Sequence, residues 1–76
     1  MQITTEPYFL GGEHRTIVAG GVKFSIIPQP NGMSIHEGLF EVALIHPTDP
    51  EADIEILGTY LTEADILEVV VRTLTA

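Results

Sequence analysis

The spacing of apolar residues changes once along the chain. Before residue 60 they alternate with polar ones over short runs broken by glycine and proline; from Leu61 onward they recur every three or four positions. Ile66, Leu67, Val70, Val71 and Leu74 then share one side of a helix, which predicts an amphipathic C-terminal helix lying on a sheet. Its start is marked. Thr62 and Asp65 have the spacing of a shortened capping box, in which the hydroxyl accepts from the amide at 65 and the carboxylate accepts from the amide at 62. Leu61 and Ile66 stand where a hydrophobic staple would form. Glu63 and Asp65 favour the positive end of the helix dipole, and Glu68 precedes Arg72 by four. Val69, Val70 and Val71 are β-branched and argue for a strand, but the length of the period and the cap outweigh them.

The alternating part predicts strands. Arg15 to Ala19 faces Val22 to Ile27 across Gly20-Gly21, a pair suited to a primed turn. Placing Ala19 opposite Val22 sets Ile17 against Phe24 and Arg15 against Ile26, which makes one apolar face. Pro28-Gln29-Pro30-Asn31-Gly32 is expected to end this hairpin, because prolines remove ladder donors and Asn-Gly favours a turn. Leu39 to His46 follows as a strand with Phe40, Val42 and Leu44 on one side. Asp53 to Leu57 is the next, read with Ile54 and Ile56 inward and Leu44 opposite Ile56. Residues 47–52 read as a turn between these two strands. Any strand before residue 10 is short, at an edge, or broken at Pro7. The expectation is one α+β domain over residues 1–76: a mainly antiparallel sheet of about four strands with one C-terminal helix packed on one face.

Composition narrows the function. Eleven Asp and Glu against three Lys and Arg give a formal charge of −8, which opposes direct contact with nucleic acid or anionic membrane. The chain contains no cysteine, so neither a disulfide nor a thiolate zinc site reinforces so small a core, and self-association is expected to help. The N-terminus shows no basic region followed by an apolar run, and no stretch has bilayer-spanning length, so a cytoplasmic location is expected.

Candidate chemistry is thin. His14, His36 and His46 do not pair at ligand spacing; a cation site at His46 with Asp49 and Asp53 is outweighed by a turn histidine, so no metal or cofactor is expected. Ser25 and Ser34 lack the sharp glycine-flanked turn of an activated nucleophile, and the glycine pairs lack phosphate-loop spacing. An enzyme is not expected. More organised are the residues assigned to the sheet face away from the helix: Glu41, Asp53 and Glu55, interspersed with Ala43, Ile45 and Leu57. They suggest a protein-binding surface. The favoured reading is a non-enzymatic protein-interaction module that forms a homo-oligomer. The alternative is an acidic decoy, of the kind carried by phage or mobile elements, that covers the basic surface of a nucleic-acid enzyme.

Overall fold

The computed structural model describes residues 1–46 and 54–76. Five strands, β1 (Gln2–Pro7), β2 (Glu13–Ala19), β3 (Val22–Asn31), β4 (Ser34–Ile45) and β5 (Glu55–Leu61), precede one helix, α1 (Glu63–Thr75). The strands form a single antiparallel sheet in sequence order, β1-β2-β3-β4-β5. The architecture is α+β as expected, with five strands where about four were predicted. The additional one is β1, which lies at the edge and ends at Pro7.

The β2–β3 hairpin has the anticipated register, with Ala19 opposite Val22, Ile17 opposite Phe24 and Arg15 opposite Ile26. Gly20 and Gly21 turn the chain at φ 60° and 79°, left-handed values that bulkier residues resist and that a primed turn requires at both positions. Beyond Ile26 the expectation fails. Pro28 and Pro30 do not end the strand; β3 continues to Asn31 and turns through Gly32 and Met33. The last β2–β3 pair is Arg15 with Ile26, so β3 beyond that point pairs with β4 alone and has one side free of ladder demands. That makes it locally an edge, where proline is tolerated.

A second correction concerns β5. Ala43 stands opposite Ile56 and Leu44 opposite Glu55, whereas Leu44 had been expected to face Ile56. Irregularities flank Val42, which pairs with Gly58, and Phe40 pairs with Leu61. The alternation of Ile54, Glu55 and Ile56 is regular, but the bulge gives the inward places to Leu57 and Leu61, both packed against the core. Gly58 makes room for this: a Cβ there would lie 2.8 Å from Leu61 Cδ1. Ile54 and Ile56 are consequently exposed. Residues 58–60, beyond the end expected for this strand at Leu57, belong to β5.

The core is one cluster: Phe24 and Ile26 from β3, Val42 and Leu44 from β4, Ile66 and Val70 from α1. The helix therefore lies over the β3–β5 half of the sheet, touching β4 and β5. Its cap is the predicted one, with Asp65 N–H donating to Thr62 Oγ1 at 3.2 Å and Thr62 N–H donating to Asp65 Oδ2 at 3.0 Å. The three valines are helical. Only part of the predicted apolar stripe reaches the core: Leu67 is 67% exposed and Val71 50%.

Candidate functional site

The half of the sheet that α1 leaves uncovered is where an unexplained apolar surface remains. Ile3 on β1 stands opposite Ile17 on β2, on the helix side of the sheet. Leu67, Val71 and Leu74 overhang the same space from α1. Together with Met1, Ile66 and Val70 they enclose a groove of about 390 Å³ whose charged members are Arg15 and Glu63. Arg15 donates to both carboxylate oxygens of Glu63, Nη1 to Oε2 at 3.1 Å and Nη2 to Oε1 at 2.7 Å, and its guanidinium lies 5.8 Å from the Phe40 ring centroid. That hydrogen-bonded pairing pulls the Glu63 carboxyl below its ordinary range and pushes the Arg15 guanidinium above its own. The pair neutralises itself and fixes the first turn of α1 to β2. At the far end Leu74 reaches the β2–β3 turn, where a Cβ on Gly20 would come within 2.9 Å of it. The helix thus runs along β2 in the same direction, from Arg15 to Gly20.

The opposite face of the sheet is open too. Glu41, Ala43 and Ile45 alternate with buried Val42 and Leu44 and so lie on it, as expected. The other anticipated members separate. Glu55, opposite Leu44, falls on the helix side; Leu57 packs against the core; Asp53 lies outside the described residues. Ile56, opposite Ala43, takes the place foreseen for Leu57. The bulge in the β4–β5 pairing is the cause, and nothing in the alternation announces it. Glu41 and Glu55 therefore lie on opposite faces of the sheet.

Sequence reasoning also passed over a polar row on this face. Glu6 stands opposite His14. His14 Nδ1 is 3.4 Å from Glu6 Oε1, and its Nε2 shares a hydrogen bond of 2.8 Å with Ser25 Oγ. Carboxylate, imidazole and hydroxyl follow the order used for nucleophilic catalysis. The setting differs. Ser25 is mid-strand, paired with Thr16 on one side and Ala43 on the other, so the backbone amides around it serve the sheet and do not converge on an oxyanion. The row joins β1, β2 and β3 by their side chains. Placing β1 opposite β2 would have revealed it, but Glu6-Pro7 weakened the strand signal there.

His36 lies edge-on to Tyr60 with ring centroids 6.0 Å apart. His46, the last residue before the undescribed segment, is exposed, and its proposed partners Asp49 and Asp53 lie in that segment. Among the described residues no three His, Asp or Glu are grouped to hold a metal, and no helix is long and apolar enough to cross a membrane. No family model, curated protein or solved structure matches the chain.

Proposed function

We propose that this chain is a non-enzymatic protein-interaction module whose contact surface is the groove between α1 and the β1–β2 hairpin. The observation that supports this reading is the pairing of an apolar groove with an internally neutralised ion pair. Elsewhere the formal charge of −8 repels an acidic partner; here Arg15 cancels Glu63, and Ile3, Ile17, Leu67 and Val71 offer area whose burial stabilises a complex. Apolar contact of this kind strengthens or holds as salt rises. An acidic decoy bound through carboxylates would release its target under the same conditions.

Self-association is a second reading, favoured by β1. This strand is exposed along its length and, among the described residues, is paired on one side only, with neither lysine nor proline from Gln2 to Thr5. Light scattering over a range of concentrations tests both readings. Leu67→Asp should reduce association that uses the groove, Thr4→Lys association that uses the β1 edge. If the protein is monomeric throughout and an apolar dye such as anilinonaphthalene sulfonate gains no fluorescence that Leu67→Asp removes, the groove is not a contact surface.

A further inference from the structure

We infer that two copies of this chain join along β1, antiparallel across a two-fold axis at Thr4, into one continuous sheet. The inference rests on self-association through β1 and adds its symmetry and register. The two outer strands of the sheet differ. β5 is blunted by register shifts against β4 and by Tyr60 at φ 55°, irregularities that spoil an edge as a template. β1 has no such device: it pairs with β2 residue for residue from Gln2 to Pro7 without a shift. Backbone direction then fixes which residues bond outward. Ala19 and Val22 flank a two-residue turn and so exchange the first hydrogen bonds of the β2–β3 hairpin, which leaves Val18, Thr16 and His14 to bond β1. Tyr8 N–H, donating to the Gly12 carbonyl at 3.0 Å, continues that alternation. Gln2, Thr4 and Glu6 therefore turn their backbone groups to β2, and Ile3 and Thr5 turn theirs outward. Pro7 is outward too; it has no donor and closes the usable edge.

The chemistry of that edge selects a second copy and one register. Read antiparallel to itself, the run from Gln2 to Glu6 is its own complement, with an amide against a carboxylate at each end and threonine in the middle. About the Thr4 axis, Ile3 stands against Thr5 of the second copy and Thr5 against its Ile3, so the outward amides and carbonyls of both residues are paired. On the face away from α1, Thr4 meets its own counterpart and the Gln2 side chain donates to the carboxylate of the facing Glu6. No like charges oppose each other, although each chain carries a formal charge of −8. Other axes fit less well. Centring on Thr5 sets Pro7 against Ile3 and loses donors; centring on Ile3 calls on Met1, outside the strand, and leaves Glu6 without a counterpart.

Because the chain contains no cysteine, one introduced thiol reports on this contact alone. Across the axis Thr4 faces itself as a non-hydrogen-bonded pair with Cα atoms about 4.5 Å apart, within the span of a disulfide, about 4.4–6.8 Å. Full-length Thr4→Cys, mildly oxidised at a concentration where light scattering gives a dimer, should become a covalent dimer at least about tenfold faster than Ile3→Cys, and urea should erase that advantage. Thr4→Lys brings two ammonium groups together and should give a monomer with unchanged circular dichroism, Thr4 being exposed. Added sodium chloride should tighten the unsubstituted dimer by screening the repulsion between the two chains. A chain monomeric at every concentration, or a dimer that Thr4→Lys leaves intact, would overturn both this inference and association through β1. A dimer that Thr4→Lys dissolves, but in which Ile3→Cys links as fast as Thr4→Cys or faster, would keep association through β1 and overturn the register.

Discussion

Tyr60 has φ 55°, and among the described residues no other non-glycine adopts a positive value. For a side chain with a Cβ that conformation costs about 1–2 kcal/mol, and the structure holds it there by two means. Tyr60 lies where the β4–β5 register shifts, between the pairs Val42–Gly58 and Phe40–Leu61. The amide of Tyr60 also donates to Gln29 Oε1 at 2.8 Å, and Gln29 is itself buried. Tyr60→Gly should therefore raise stability by about 0.5–1 kcal/mol, since the relief of strain exceeds the entropy lost with glycine. Gln29→Leu should lower it by about 1–3 kcal/mol by leaving that amide unpaired. Urea denaturation of each variant measures both. Loss of stability in Tyr60→Gly would show that the ring, against His36, contributes more than the backbone strain removes.

At the scale of elements, α1 separates what alternation and period reveal from what they hide. Its start, its cap and its inward residues Ile66 and Val70 were legible because each depends on neighbours within one turn. Leu67, Val71 and Leu74 were assigned to the core because the stripe is wide; they lie toward β1 and β2, where the sheet continues and the helix does not. The same holds for the strands. Gly20-Gly21 announced its register, whereas the β5 bulge and the persistence of β3 through two prolines depend on which strand lies alongside. Two outcomes follow for the helix. Ile66→Ala should cost about 2–4 kcal/mol, and Leu67→Ala less than about 1 kcal/mol; comparable losses would mean that Leu67 is buried in solution. The carboxyls of Glu63 and Asp65 are both lowered, the first by its hydrogen bonds from Arg15 and the second by those from Thr62, chiefly the backbone amide. Their contribution is complete above the ordinary carboxyl values of 4.5 and 3.8 and declines as pH falls through the lower folded values. The melting temperature should stay level down to about pH 5 and drop below about pH 4. Glu63→Gln should flatten part of that drop.

For the molecule as a whole, self-repulsion is the dominant electrostatic term. With a formal charge of −8 and both arginines in ion pairs, added salt screens more repulsion than attraction. Raising sodium chloride from a few millimolar to physiological strength should increase the melting temperature; a decrease would assign the larger share to the Arg15–Glu63 and Arg72–Glu68 pairs. The strand order carries one more implication. Because each ribbon pairs only with those beside it in the chain, β1 can peel away without unthreading anything, opposed among the described residues by its pairing with β2 and by the link from Glu6 through His14 to Ser25. Its amides should exchange with deuterium before those of β3 and β4. Whatever settles over Ile3 would slow that exchange, turning the loosest margin of the sheet into a gauge of occupancy.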